Sequence, residues 1–399
     1  MTTLEDLPIR DDLRGRTPYG APQLDVPVQL NVNENAFDVP EDVVAAIEKN
    51  LHAVLAGLNR YPDREFTVLR EKLADYLSGV LTRQGGTSSL RAVEPEWLWA
   101  ANGSNEVLSH IVQAFGGPGR TALGFVPSYS MHPLITTSTG AAWVSVDRNA
   151  DFGLDARSAV AAIEEHRPDI VFLTTPNNPT GTGMPLEVIE AVLAATAGIV
   201  VVDEAYAEFA RDGYVSALTL LPDNPRLVVS RTMSKAFAFA GVRLGYAVAH
   251  PALIDALRLV RLPYHLSDLT QAAACAALDH AEVLLGNVDR LVAQRDRMSA
   301  TLADLGFSVV PSDSNFLMFG GIRDPHALWQ SLLDAGVLVR DIGIAGHLRV
   351  NAGTEEETTA FLEAVTAIVR RDPSVLAARG TGAHVTDAQN ATTHEGAGE

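Results

Sequence analysis

The 399-residue sequence predicts an α/β protein: a mostly parallel, doubly wound sheet flanked by helices, followed by a smaller α+β region. Two observations predict it. From about residue 97, short apolar runs rich in β-branched residues alternate with helical stretches. Strands joined by helical crossovers pair in parallel and are covered on both faces. Beyond Pro251 the pattern changes to a long helical stretch, then to short strands mixed with helices.

The elements follow in order. Residues 1 to about 35 form an arm spotted with Pro8, Pro18, Pro22 and Pro27, ending in Leu30-Asn31-Val32-Asn33-Glu34-Asn35. Helical patterns cover 41–55 and 64–77, separated by Tyr61-Pro62-Asp63, a turn signal. The stretch 79–91, rich in Gly, Ser and Thr, reads as a surface loop. Strands are expected over 122–126, 142–146, 170–174, 199–202, 227–230 and 246–249, with helices such as 156–165 and 186–194 between them. After Pro251 comes helix running through 291–305, then strands at 307–310, 315–319, 337–340 and 347–350, with a helix over 325–335. The last helix spans about 355–370, and residues 381–399 are expected to be disordered, having little to pack.

Composition bounds the function. At 47% hydrophobic and 20% charged residues, with mean hydropathy +0.09, the chain can bury a sizeable core. No run of 18 apolar residues suggests a membrane span, and the polar start, Met1 to Arg16, lacks a signal peptide's apolar core. The lone cysteine, Cys275, excludes an intrachain disulfide and reads as a small core residue of a helix over 271–278. A cytoplasmic protein is expected. The net charge of −19 disfavours nucleic acid and anionic lipid as partners. Any phosphate site must therefore be made locally, from helix ends and a few arginines.

Five polar clusters fall at expected strand ends or helix starts. Asn102-Gly103-Ser104-Asn105-Glu106 opens an amphipathic helix, with Ser104 as a helix cap; free N–H groups there can hold an anion. Pro127-Ser128-Tyr129 follows a strand, and Tyr129 can stack on a flat ring or be a plain loop tyrosine. Thr175-Pro176-Asn177-Asn178-Pro179-Thr180-Gly181 is a turn by composition, in which the Asn177 amide can also donate to a phenolate oxygen. Asp203-Glu204-Ala205-Tyr206 brings a carboxylate to the end of a β-branched run. Burying Asp203 there calls for a cationic partner, such as a protonated pyridine nitrogen. A metal carboxylate is disfavoured, because no second carboxylate or histidine cluster stands at ligand spacing. Lastly, Thr232 and Ser234 offer hydroxyls, Lys235 an amine and Arg243 a guanidinium. Hydroxyls with arginine make a phosphate clamp, and a lysine beside one can form an imine with an aldehyde held there. A Ser234–Lys235 hydrolase pair is disfavoured, since adjacent residues do not face each other as nucleophile and base.

In this combination and order, the clusters resemble those of the fold-type I pyridoxal-phosphate aminotransferases, over about residues 17–370. Asn33-Glu34-Asn35, Arg60-Tyr61-Pro62-Asp63, Pro263-Tyr264-His265-Leu266-Ser267 and Leu348-Arg349-Val350 further resemble the histidinol-phosphate aminotransferase family. The resemblance implies a seven-stranded sheet in a large domain over 41–260, a small α+β domain over 261–372, an arm over 1–40 that packs with the small domain and a partner subunit, and a tail over 373–399. It implies pyridoxal 5′-phosphate as cofactor, with Lys235 as Schiff-base lysine and proton shuttle. Asp203 would pair with the pyridine nitrogen, Tyr206 and Asn177 would bond the ring 3-oxygen, and Tyr129 would stack on the ring. Ser104, Asn105, Thr232, Ser234 and Arg243 would surround the cofactor phosphate, joined by Tyr61 from the other subunit of a homodimer. Arg349 would hold the substrate anion, helped by Arg340, Tyr19 and Asn33.

The implied reaction converts histidinol phosphate and 2-oxoglutarate to imidazole acetol phosphate and glutamate, reversibly, within histidine biosynthesis. An aromatic amino-acid aminotransferase is the nearest alternative, since it would keep every cofactor residue; a phosphothreonine-type decarboxylase is a further one. A non-catalytic sensing domain is disfavoured, because about 35 residues before the sheet region leave no helix-turn-helix and the charge is acidic. Two positions depart from the family pattern: Asn105 stands where aspartate is common, and Ala36 where proline is frequent. His110, His265 and His347 receive no role, His265 reading as a packed loop histidine.

Overall fold

The computed structural model describes residues 2–15, 20, 22–84 and 92–377. The arm contributes a two-residue strand, β1 (Val28–Gln29), before helices α1 (Glu41–Leu55) and α2 (Thr67–Gln84). The helix α2 runs through Gly79, where a loop is expected from the sequence. Val80 and Leu81 continue the helical pattern, so packing outweighs the roughly 1 kcal/mol cost of one glycine. Residues 85–91 and the expected tail 381–399 lie outside the described residues.

The sheet region alternates strand and helix, as expected: β2 (Leu98–Ala101), α3 (Ser104–Phe115), β3 (Thr121–Val126), α4 (Met131–Ser138), β4 (Ala142–Asp147), α5 (Ala156–His166), β5 (Ile170–Thr174), α6 (Leu186–Ala195), β6 (Ile199–Asp203), β7 (Leu227–Thr232) and β8 (Gly245–Ala249). They form a seven-stranded sheet in the order β2-β8-β7-β6-β5-β3-β4. Six strands are parallel, and β8 alone runs against its neighbours β2 and β7. The central strands β5, β7 and β8 are buried at every residue, whereas the edge strand β4 is partly exposed throughout. This is why the central strands read as continuous apolar runs.

Three helices follow, α7 (Pro251–Val260), α8 (Asp268–Asp279) and α9 (Ala281–Asp304). The helix α8 holds the buried Cys275 and packs against α1 and α2. The last region has β9 (Ser308–Val309), β10 (Phe316–Gly320), α10 (Pro325–Asp334), β11 (Val337–Leu338), β12 (Arg340–Asp341), β13 (Leu348–Asn351) and α11 (Glu355–Arg371). Here β12-β13-β10-β9 form an antiparallel sheet, while β11 pairs in parallel with β1 of the arm. The expected strand over 337–340 is thus split between two sheets. A capping box at Thr354 and Glu357 starts α11, and Arg370 and Arg371 end it, each in favourable register with the helix dipole. Among the described residues, no helix is long and apolar enough to cross a membrane.

Candidate active site

The parallel strands share one carboxyl-terminal edge, and five of them deliver polar residues to it. Asp203 ends β6 directly beside Thr174 of β5 and Ser230 of β7. Because β8 is antiparallel, its first residue, Gly245, lies at the same edge, opposite Thr232 and Ala101. Arg243, just before β8, thus reaches the start of α3. Ligands in open α/β sheets bind at this edge.

A cavity of about 300 Å³ opens there. It is lined by Ser104, Asn105, Tyr129, Asp203, Tyr206, Thr232, Ser234, Lys235 and Arg243, and by Asn33, Arg340 and Arg349 from the arm and the four-stranded sheet. Four cations thus face one carboxylate, in a chain whose net charge is −19. That imbalance suits an anionic occupant.

At one end is a cradle. The twelve-residue helix α3 points its N-terminus into the cavity with Ser104 and Asn105. The cap is Gly103, not Ser104: its φ of +86° is open to glycine, and Ser104 is already the first helical residue. A Cβ at Gly103 would lie 2.5 Å from Arg243 Nη2, and a Cβ at Gly245 would collide with the Ser104 backbone. Arg243 itself has φ +61° and donates to Ser234 Oγ and to the Ala240 carbonyl, at 3.5 and 3.0 Å. Thr232 Oγ1 accepts from the Ser234 N–H at 3.1 Å. Helix N–H groups, three hydroxyls and a guanidinium converge here, the donor set that a phosphate monoester needs.

Lys235 lies in the middle, with Nζ donating to the Val32 carbonyl at 3.2 Å. Burial first, then the Arg349 guanidinium, draws its ammonium down to about 8, and nearby Glu34 opposes them. Asp203 is 2% exposed and accepts from the Ala205 N–H at 3.2 Å. Its other oxygen lies 3.2 Å from His132 Nε2. The sequence reading missed His132, and no local signal marks it. It sits in the first turn of α4, stacked on Phe172 and edge-on to Tyr129. Tyr129 donates to Asn105 Oδ1 at 3.1 Å. Below, Arg231 is buried and pairs with Glu204 at 2.7 Å and Glu208 at 3.1 Å, tying β7 to the turn after β6. This pins the backbones that carry Asp203 and Lys235.

At the opposite end, Arg349 donates to Asn178 Oδ1 at 2.7 Å and to the Asn31 carbonyl at 2.9 Å. Arg340 stands directly opposite it across the β12–β13 pair. Facing like charges are unfavourable in a sheet unless an anion joins them.

Two expected site residues, Asn177 and Tyr61, are not among the residues that line the cavity. The Asn177 amide is spent on its own surroundings: it donates to the Pro127 carbonyl (3.0 Å) and Thr180 Oγ1 (2.8 Å), and accepts from Ser128 Oγ (2.9 Å). Its neighbour Asn178 lines the cavity instead, with Nδ2 3.5 Å from Tyr206 Oη. Tyr61 is 79% exposed and stacks on Tyr264 away from the cavity of its own chain, with ring centroids 4.5 Å apart. Tyr19 lies outside the described residues. His265 is a packed loop histidine, as expected, stacked on the buried Trp99 with Nε2 2.8 Å from the Ala100 carbonyl. No group of metal-ligating side chains occurs among the described residues.

Comparison with known proteins gives consistent matches. The model of the family "Aminotransferase class I and II" matches residues 26–365. The chain is 59% identical to the histidinol-phosphate aminotransferase of Paenarthrobacter aurescens over 369 residues, covering 92% of this chain and 96% of that one. It is 56% identical to that of Thermobifida fusca over 363 residues, covering 91% and 96%. Among solved structures it is similar to histidinol-phosphate aminotransferase from Sinorhizobium meliloti in complex with pyridoxal-5′-phosphate, with TM-score 0.75 and 25% identity, covering 87% and 92%. It is also similar to aspartate aminotransferase from Thermus thermophilus with maleate, with TM-score 0.73 and 25% identity, covering 86% and 91%.

Proposed function

The chain belongs to the class I and II aminotransferases and, within them, to the histidinol-phosphate aminotransferase family, and from that membership we propose that it moves an amino group between histidinol phosphate and 2-oxoglutarate in histidine biosynthesis. The observation that carries this is the half-buried Lys235 amine, set between a cradle suited to a phosphate and a pair of facing arginines. One end would hold pyridoxal 5′-phosphate and the other the substrate anion.

When bound, pyridoxal phosphate supplies an aldehyde that receives the amino group and a ring that withdraws electrons from the bonds of the substrate Cα. The chain's residues do the rest. Ser104, Asn105, Thr232, Ser234 and Arg243 would grip the phosphate. Asp203, oriented by His132, would hold the ring nitrogen protonated. Tyr206 would donate to the ring oxygen, with Asn178 beside it in the role the sequence reading gave to Asn177. Tyr129 would cover one ring face. Lys235 would hold the cofactor and, once displaced, take the proton from the substrate Cα. An amine drawn down to about 8 is partly neutral near pH 7, which both tasks need. Arg349 and Arg340 would bind the glutamate carboxylate or the histidinol phosphate. The arginines would thus fix Cα over the lysine, an entropic advantage.

We further read the enzyme as a cytoplasmic homodimer in which Tyr61 reaches the partner's cofactor phosphate. Exposed Leu55, Leu58, Tyr61, Leu259, Leu262 and Tyr264 support a covered face there. The chain divides on this reading into an arm (1–40), a large unit (41–260) and a smaller one (261–372), with the tail 373–399 beyond them. The test is a half-reaction. Mixed with the pyridoxal form, histidinol phosphate is expected to convert the cofactor absorbance rapidly, and phenylalanine and phosphothreonine slowly. Rapid conversion by phenylalanine but not by histidinol phosphate would replace the proposal with an aromatic aminotransferase.

A further inference from the structure

We propose that Asn33 is a positioning residue that acts through Tyr206: it strengthens and aims the phenol's hydrogen bond into the cavity, and ties that bond to the four-stranded sheet. This rests on the site reading above and extends it, since Asn33 has no role there and is expected from the sequence to help hold the substrate.

The geometry carries the inference. Asn33 has φ +57°, a left-handed conformation that asparagine tolerates better than most residues. Its backbone is gripped on both sides by asparagines of the four-stranded region. The Asn33 N–H donates to Asn351 Oδ1 at 3.3 Å, and its carbonyl accepts from Asn315 Nδ2 at 3.2 Å. Three residues earlier, the Leu30 N–H bonds the Leu338 carbonyl at 2.8 Å, and the Leu30 carbonyl accepts from the Asn351 N–H at 3.1 Å. The arm here is therefore held to that region.

The side chain reaches across to the turn after β6. Asn33 Nδ2 donates to Tyr206 Oη at 3.0 Å, and both residues are buried. Tyr206 is also braced edge-on by Phe316 of β10, with centroids 5.1 Å apart. A phenol oxygen that accepts from an amide becomes a stronger donor through its own O–H, because bonds in a chain polarise one another. A stronger donor to the ring oxygen of a bound cofactor favours the form in which that oxygen is an anion. Removing the amide should then raise the pH at which the bound cofactor's visible band changes.

The test is a spectroscopic titration of the holoenzyme. Asn33→Gly keeps the left-handed backbone and deletes the amide; Asn33→Asp keeps the shape and replaces the donor with an acceptor. Both are expected to raise the midpoint by about half to one pH unit, the scale of one lost hydrogen bond. Both should lower kcat more than they raise KM for glutamate. In a Tyr206→Phe background, Asn33→Gly should shift the midpoint no further. An unchanged midpoint with KM raised several-fold would put Asn33 on the substrate and overturn the proposal. So would an equal shift in the Tyr206→Phe background. If either variant fails to fold, the other decides. A wild-type protein that shows no visible band with pyridoxal phosphate would instead overturn the site reading, and this inference with it.

Discussion

The two ends of the cavity are built differently. At the cradle end, each residue ends, follows or immediately precedes a strand of the seven-stranded sheet, or begins a helix beside it, and the strands beneath are almost fully buried. At the arginine end, Arg340 sits on a two-residue strand, Arg349 on a four-residue one, and Asn33 on an arm whose local strand is two residues long. A long buried strand fixes its end by many contacts. The two-residue strands are fixed by few, and on the buried four-residue strand the hydrogen bonds of Arg349 to Asn31 and Asn178 set the guanidinium. The contrast suits the proposed chemistry: a cofactor stays, whereas substrates of two shapes come and go.

Substitutions can break this comparison, the largest effect first. Lys235→Ala at the rigid end is expected to abolish turnover and the visible band together. Retained transamination would remove Lys235 from the mechanism. Asp203→Ala is expected to lower kcat at least about 100-fold, the scale of losing one preorganised charge partner. Circular dichroism should stay native, because His132 keeps its stack on Phe172. A near-normal rate would exclude the ring-nitrogen role. At the other end, Arg349→Gln is expected to cost kcat/KM roughly 10- to 100-fold, as a charged hydrogen bond is worth about 1.5–3 kcal/mol. It should leave cofactor affinity nearly unchanged. An equal loss of cofactor binding would mean that the two ends are one cooperative unit.

The smallest effect is on pH. The Lys235 ammonium is drawn down to about 8, so the rate at which cofactor-free protein takes up pyridoxal phosphate should rise with pH through about 8 and then level. Stopped-flow absorbance measures this. Arg349→Gln removes one of the causes, so the midpoint should move upward, although burial remains the larger cause. The same shift has a sign for stability. The unfolded lysine titrates near about 10.4, so the unfolded chain holds more protons between about pH 8 and that value. Cofactor-free protein should gain stability from this group as pH rises through that window.

The rigid end was also the legible end. Runs such as Ile170–Thr174 and Ile199–Asp203 announce buried strands, and the polar residue that stops each run is the one that reaches the cavity. The misses share a cause: contacts from distant segments. Which of two adjacent asparagines faces the cavity is decided by Ser128 and Pro127, in another loop. His132 gains its place only because α4 lays it on Phe172 of β5, within reach of Asp203 at the end of β6. Strand β2, Leu-Trp-Ala-Ala, went unread because its alanines have poor strand propensity and its burial comes from neighbours. Arg231, Glu204 and Glu208 carry no pattern that reveals their buried network, since they meet only when β6 and β7 lie side by side.

The central claim is that Lys235 bonds covalently to an aldehyde whose phosphate lies in the cradle at the α3 N-terminus. The direct measurement is to add pyridoxal phosphate to purified protein, reduce with borohydride, digest, and map the modified peptide by mass spectrometry. The account expects one stoichiometric adduct, on Lys235, competed by inorganic phosphate. Modification spread over surface lysines, with Lys235 untouched, would contradict it.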